Sequence, residues 1–394
     1  MNKELALICP VFPPFKSSAA VQLHDLAISL SRQGNKVTIF TPTPNISKFL
    51  ICEQLGEIKV VKIRTFKFRD VGYICRALAE FVTPFLMIIA IISSKIKITN
   101  FDGLIWYSPS IFFTPLASYI SNKSQCKNYL IVRDIFPQWA LDLGLLKRGL
   151  AYYFFKYIEK RQYELANYVG VQAPGNLKYF KNINTKNKFR LEILNNWIQK
   201  PFIVNCLINL KKTKLAGKKI FVYAGNVGVA QDLDSFLIFV KKLKNRSEFG
   251  FLIVGRGSEF DRLSASLGDL PNLLFCNEIS SDEIASLYRQ CDVGIVSLNQ
   301  NHKTHNIPGK FVSYMASSLP VFAHVNKGND LIDLIESYGV GVAFTGRSQK
   351  TFERNFEKIL KLLDTDSKIK LKCFNLYLNL FDSNKIAKQV SCKL

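Results

Sequence analysis

Acidic residues and paired cysteines are what this chain has least of. Only 30 aspartates and glutamates stand against 53 lysines and arginines, so the 394 residues carry a formal charge of +23. The nine cysteines fall singly at 9, 52, 75, 126, 206, 276, 291, 373 and 392, with no pair at metal-ligand or redox spacing. That scatter excludes a disulfide framework and predicts a reducing compartment. Of the four histidines, His302 and His305 share a loop with no carboxylate or cysteine beside them, and no metal site is expected there. No internal repeat, low-complexity tract, Walker loop, nucleophile elbow or paired catalytic carboxylates stand out. The most apolar stretch, Phe81 to Ile92, contains Thr83 and Pro84 and falls short of the roughly 20 residues that span a bilayer. It reads as a buried or interfacial helix. The N-terminal run Leu5 to Val11 lacks the length and cleavage site of a signal peptide, which predicts a cytoplasmic protein.

What is present is globular: 48% apolar and 21% charged residues, in a chain long enough for two domains. Short strand-like runs alternate with helical ones, the pattern of parallel sheets covered by helices. In the first half strands are expected at Glu4 to Cys9, Lys36 to Thr41, near Ile58 to Ile63, and at Gly103 to Trp106, Tyr129 to Val132 and Tyr168 to Gln172. Helices are expected at Ala19 to Gln33, Gly72 to Ile92, Ser110 to Ile120 and Lys147 to Asn167. A break at Leu194 to Pro201 precedes a second series, with strands at Ile220 to Ala224, Phe251 to Val254, Leu273 to Cys276, Val293 to Ser297 and Pro320 to Ala323. The fold class is therefore α/β, two Rossmann-like doubly wound domains over 1–198 and 199–370, with a helical tail at about 371–394 packing back on the first. Sheets facing across a linker would form a cleft, with ligands at the carboxyl ends of the strands.

The segment His305 to Phe311 reads as a loop that delivers Lys310 into the first turn of a helix, with Pro308 and Gly309 at its start. A helix N-terminus carries partial positive charge and free amides. A lysine there calls for an anion, and a diphosphate fits. Upstream, Gly225-Asn226-Val227-Gly228, with Gln231 following, leaves one strand, and Gly255-Arg256-Gly257 leaves the next. Such glycines admit a phosphate or simply make a tight turn. The third glycine of a dinucleotide fingerprint is missing, and no acidic residue ends Leu273 to Cys276, which disfavours a nicotinamide enzyme. In the first half, Val11 to Ala20 joins strand to helix through prolines and small residues. There Ser17 and Ser18 read equally as ligand contacts or as helix caps. Arg133 and Asp134 leave another strand as an opposed charge pair, functional or structural.

Aromatic and basic residues intermingle in Lys59 to Arg69 and Leu146 to Arg161. Such a surface suits an anionic bilayer, and solvated lysines over an aromatic core would look the same. The charge admits nucleic acid, an anionic membrane or phosphorylated ligands as partners.

In order, these pieces resemble the retaining nucleotide-sugar glycosyltransferases of the GT-B fold, family four. The donor half is carried by Gly225 to Gly228, Val254 to Gly257, Cys291-Asp292-Val293 and Pro308 to Val321, and the acceptor half by the loop after the first strand and Gly34 to Thr38. Arg133 to Trp139, Glu159 to Tyr163 and the loop reaching Lys310 are similar to enzymes of bacterial O-antigen and capsule synthesis, notably L-fucosamine transferases. The resemblance implies a metal- and cofactor-free transfer from a nucleoside diphosphate sugar, UDP being expected, to a polyprenyl-diphosphate-linked saccharide, at the cytoplasmic face of an anionic membrane. It implies Asp134, Lys310 and His305 as catalytic positions. Gly225, Asn226, Gly228, Gln231, Gly255, Arg256, Pro308, Gly309, Lys310 and Ser313 are implied on the donor side, and Ser17, Ser18 and Arg133 on the acceptor side. The family places glutamates eight residues apart where this chain has His305 and Ser313, the second of them on the nucleotide ribose. A nucleotide-sugar epimerase of similar fold and a basic nucleic-acid-binding protein are the alternatives. The second lacks any recognisable nucleic-acid motif.

Overall fold

A computed structural model describes every residue except Met1, Lys16, Arg69, Asp70, Leu143, Asn182, 184–187 and 301–306, together with the side chain of Tyr73. His302 and His305 therefore lie outside the described residues. The chain divides into two compact units, Met1–Gln199 with Ser383–Leu394, and Lys200–Asp382. The return to the first unit thus begins at Ser383, twelve residues after the position expected from the sequence.

The first unit is built on eight strands: β1 (Glu4–Ile8), β2 (Lys36–Pro42), β3 (Leu50–Leu55), β4 (Ile58–Ile63), β5 (Gly103–Ser108), β6 (Lys127–Val132), β7 (Tyr168–Val171) and β8 (Arg190–Ile193). They lie in the order β3-β4-β2-β1-β5-β6-β7-β8, all parallel except the β3–β4 hairpin. Central strands are covered on both faces and read as unbroken apolar runs; every residue of β5 is buried. Two edge strands escape the sequence reading because they carry no such run. β3, Leu-Ile-Cys-Glu-Gln-Leu, is largely exposed and held by a tight turn at Gly56, whose φ is +57°. β8 is four residues long and nowhere fully buried.

Three helices shape the surface of this unit: α1 (Ser18–Arg32), α2 (Tyr73–Ser93) and α3 (Leu150–Leu165). α2 matches the helix expected over Gly72 to Ile92 and runs well past the twelve-residue apolar stretch Phe81 to Ile92 within it. Over Ile74–Ser93 it is long and apolar enough to cross a membrane by length and composition, with a mean hydropathy of 1.9 and 33% of that window buried. Its inner face, including Met87, Ala90 and Ile91, packs with Phe40, Trp106 and Leu116 in one core layer. On the opposite face of the sheet Leu23, Leu26 and Leu30 of α1 form a second layer.

The second unit holds six parallel strands in the order β11-β10-β9-β12-β13-β14: β9 (Lys219–Asn226), β10 (Phe249–Arg256), β11 (Leu273–Asn277), β12 (Val293–Ser297), β13 (Val321–His324) and β14 (Gly341–Phe344). The edge strand β14 is again one the sequence reading lacks, and none but its last residue is fully buried. Phe221, Phe236, Phe251, Phe322 and Phe356 fill one side of the sheet. Helix α4 (Gly309–Ala316) comes after the 301–306 segment. The strand order reverses between β9 and β12 here and between β1 and β5 in the first unit, and such switch points are where open α/β sheets bind ligands.

Past Asp382 the chain ends in α5 (Ser383–Ser391), which lies on α1 of the first unit. Ile386, Ala387 and Val390 join the α1 core layer, and Ser29 Oγ donates to Ser383 Oγ at 2.8 Å. The tail is thus structural. Truncating Ile386, which is 3% exposed, should destabilise the first unit by about 2–5 kcal/mol. All three tryptophans, 106, 139 and 197, belong to this unit, so denaturant unfolding followed by tryptophan fluorescence reads it alone. An Ile386→Ala protein with an unshifted midpoint would remove α5 from the core.

Candidate functional site

In the second unit the exits of β9 and β10 press against each other. Their parallel pairing continues to the ends, Gly255 opposite Gly225 and Arg256 opposite Asn226. A β-carbon on Gly255 would lie 1.9 Å from the Gly225 carbonyl oxygen, and one on Gly257 2.2 Å from that of Val227. With φ values of +157° and +149°, both positions demand glycine for backbone reasons. The turn also consumes its own donors. Val227 N–H donates to the Arg256 carbonyl at 2.8 Å, and Gly228 N–H to Gln231 Oε1 at 3.2 Å, an oxygen that also accepts from Asn226 Nδ2 at 2.9 Å. Of the two readings of these glycines, the amides of Val227 and Gly228 serve the tight turn. Arg256 pairs with Glu278 at 3.0 Å on the exposed surface.

Gly225 is different, since the atom nearest its open side is the Lys310 ammonium, 3.8 Å from a β-carbon built there. The sequence of α4 explains the approach. Phe311, Val312, Tyr314 and Met315 are buried, and the Tyr314 hydroxyl lies 3.1 Å from the carbonyls of both Val222 and Ile295. That hydroxyl pins α4 under β9 and β12. Gly294 makes room for the ring, whose carbons would come within 2.5 Å of any β-carbon there. Pro308 caps α4 with no side-chain hydrogen bond, and no acid occupies the first turn. Phe311 and Val312 amides fold back on the Pro308 carbonyl. The amides of Gly309 and Lys310 open the helix, with no partner inside it.

Lys310 Nζ sits 3.5 Å from the centroid of the buried Tyr223 ring, a cation–π contact. The Tyr223 hydroxyl donates to the Asn226 carbonyl at 2.5 Å, tying ring, turn and lysine together. Burial pulls the Lys310 ammonium down to about 7 from its ordinary 10.5. Sequence reasoning found Lys310 and the glycine turn but missed Tyr223; the signal available was a tyrosine two residues before Gly225. Ser313, one turn on, is half-buried and meets the Tyr288 hydroxyl.

In the first unit the β1–α1 loop resolves the choice at Ser17: its hydroxyl accepts from Ala20 N–H at 3.3 Å and caps α1, while Ser18 is the exposed first residue of the helix. Arg133 leaves β6 and turns inward. Its Nη1 donates to Asn196 Oδ1 at 2.6 Å, and the guanidinium lies 5.9 Å from the Trp197 ring centroid. The same Asn196 oxygen accepts from Gln22 Nε2, and Gln22 Oε1 from the Tyr107 hydroxyl at 3.1 Å. Arg133 thereby fastens the segment after β8 to the central strands of the first unit. Asp134 is half-buried beside it. Burial pushes the Tyr107 phenol up to about 12; Arg133 opposes the shift and Asp134 adds to it, which puts both charges within electrostatic reach of the β5 exit. The Glu159 to Tyr163 segment is packing: Glu159 is 1% exposed and accepts from Tyr163 at 3.0 Å, Tyr179 at 2.6 Å and Lys156.

The lowered Lys310 value sets a sign. Below pH 7 the lysine is charged in both folded and unfolded chains, so the cost of burying the ammonium is fully present; it fades as pH rises from 7 to 10.5, where only the unfolded chain still holds the proton. Lys310→Met should therefore melt above the wild type at pH 6 in calorimetry, with the gap closing toward pH 10. A gap that widens with pH would contradict a buried ammonium.

Residues 208–371 match the family model of the glycosyl transferases group 1. A curated relative, a probable glycosyltransferase, WbjE, of Pseudomonas aeruginosa, is 24% identical over 221 residues. The chain spans about half the length of that relative, 54% of each chain being aligned. Sucrose-phosphate synthase from Thermosynechococcus elongatus superposes with a TM-score of 0.71 at 14% identity, over 100% of this chain and 98% of that one. Anabaena Alr3699/HepE in complex with UDP and glucose gives 0.65 at 11% identity, covering 100% and 99%. The two-domain fold of parallel sheets is that of the GT-B glycosyltransferases.

Proposed function

We propose, taking residues 208–371 as a glycosyl transferase group 1 module, that the protein moves a sugar from a nucleoside diphosphate to a lipid-linked saccharide with retention of configuration. The observation that carries this reading is the buried Lys310 ammonium, stacked on Tyr223 beside Gly225 at the start of α4, which has no side-chain cap, inside that module. Departure of a diphosphate needs positive charge more than it needs a base, and a preorganised cation in a site shielded from water meets that need. An arriving diphosphate favours the charged form of Lys310 and adds the first amides of α4 as donors. In this reading Lys310 and those amides stabilise the leaving group without a metal, and Ser313 lies near the ribose. Asp134 touches the sugar or receives the acceptor hydroxyl's proton as that oxygen bonds to the anomeric carbon and the carbon–diphosphate bond breaks.

UDP is the proposed nucleotide, as bound in the HepE structure. N-acetyl-L-fucosamine is the proposed sugar and O-antigen or capsule the product, on the likeness of Arg133 to Trp139 and of the loop reaching Lys310 to such enzymes. The acceptor is a polyprenyl-diphosphate-linked saccharide at the cytoplasmic face of an anionic membrane, in keeping with the +23 charge.

A thermal-shift panel of UDP, GDP and dTDP sugars tests the site. UDP sugars should stabilise the wild type and not Lys310→Ala, and that variant should lose roughly 100- to 1,000-fold in kcat, the cost of one lost charge-stabilising group in comparable sites. If no nucleotide sugar stabilises the wild type, or the variant responds equally, the assignment fails.

A further inference from the structure

The first unit contains a cavity of about 750 Å³ that no side chain of the polar network around Arg133 fills. Its inner end reaches Pro10 and Val11, just after β1, and Tyr107 and Pro109 at the exit of β5. These are the two strands between which the sheet order reverses. Its walls are aromatic: Phe155 packs on Phe112 and Phe136 with ring centroids 6.2 and 5.1 Å apart. Among the described residues its charged lining side chains are Arg76 and Glu80, and they neutralise each other at 2.8 Å.

Its outer end opens where apolar side chains face solvent. Ile74, Leu78 and Phe81 line the mouth, and on the same face of α2 the stripe continues through Phe85, Ile89 and Ile92, each at least 39% exposed. Next to the lining residue Ala151, Leu150 at the start of α3 is 93% exposed. A continuous apolar face of this kind on a folded unit marks an interaction site. Exposed basic residues stand in the same elements: Lys147, Arg148, Lys160 and Arg161 beside and along α3, and Lys95 and Lys97 just after α2. Apolar face and basic residues together match an anionic bilayer surface, each basic residue adding about 1 kcal/mol there.

We infer that this groove holds the hydrocarbon chain of the lipid-linked acceptor, drawn from the bilayer along α2 and between α2 and α3, so that the head of the same molecule arrives at the exits of β1 and β5. The inference rests on the proposed transfer to a lipid-linked saccharide and gives that reading a place for the lipid. A chain is the ligand shape that spans both ends of the groove. A compact apolar ligand would leave the exposed stripe on α2 uncovered, and bilayer contact alone would leave the inner cavity unfilled. The lining is apolar enough to hold a chain by burial and, among the described residues, has only a self-paired charge to hold a head group, which places the diphosphate beyond the inner end rather than in the groove.

The test uses dansyl-labelled farnesyl diphosphate titrated into the full chain, with fluorescence as readout. Saturable binding should appear, resist inorganic diphosphate, and weaken at least tenfold in Ala151→Trp, which fills the groove from an exposed position on α3. Leu78→Gln, at the exposed mouth, should weaken it similarly and guards against a folding defect in the first variant. Both variants should keep the UDP-sugar thermal shift, which belongs to the other unit, and in transfer assays should raise KM for the lipid acceptor while kcat and the donor KM stay put. Four results overturn the groove: no saturation, displacement by inorganic diphosphate, equal competition from phosphatidylglycerol–phosphatidylcholine vesicles, or variants that bind like the wild type. Transfer to a water-soluble acceptor by a wild type that ignores the probe sinks the groove and spares the transferase. Probe binding that Ala151→Trp abolishes in a protein inert toward every nucleotide sugar supports the groove and sinks the transferase.

Discussion

The second unit is organised by the contact of two backbones. β9 and β10 stay paired to their last residues, and at Gly255 no β-carbon fits against the Gly225 carbonyl. Because the strand ends cannot splay, the turn after them has one shape, held by its own amides and by Gln231. The open side of Gly225 then faces the one direction from which α4 can bring a side chain. Tyr314, anchored under the carbonyls of Val222 and Ile295, fixes that direction. Lys310 is held over Tyr223 as a consequence, and the fold keeps a cation where burial disfavours it. A buried lysine whose charge its surroundings disfavour is set to take up that charge beside a ligand of opposite sign.

The first unit is organised by a different need. Its sheet is covered on one face by α1 and, at the end of the chain, by α5; on the other face lies α2, which turns only one side inward. The outer side of α2 and the start of α3 stay uncovered, and the cavity between them runs to the strand exits. The polar network of Tyr107, Gln22, Asn196 and Arg133 stiffens the same strand ends from within. Rigid strand exits and an apolar channel leading to them are what a site for a large amphipathic molecule requires.

Most of the central strands could be read from the residues, because buried parallel strands are unbroken apolar runs and their flanking helices are amphipathic. The edges could not. β3, β8 and β14 are short or exposed, and what fixes them is a neighbouring strand rather than their own composition. At the site, Lys310 was legible as an electrostatic oddity at a helix start, whereas Tyr223 was hidden inside an ordinary strand pattern. Where a ligand contact and a structural role read equally, the structure shows structural contacts: Ser17 is a cap and Arg133 a clamp to Asn196.

By itself the sequence determined that this is a basic, two-domain α/β protein and marked a lysine at a helix start in its second half, since periodicity, glycine placement and net charge are local or additive properties. Tertiary structure decided which glycines serve the backbone, which ring the lysine rests on, and that half of one apolar helix is left bare. Those are questions of which surfaces meet, and spacing along a chain does not say what lies on the far side of a helix.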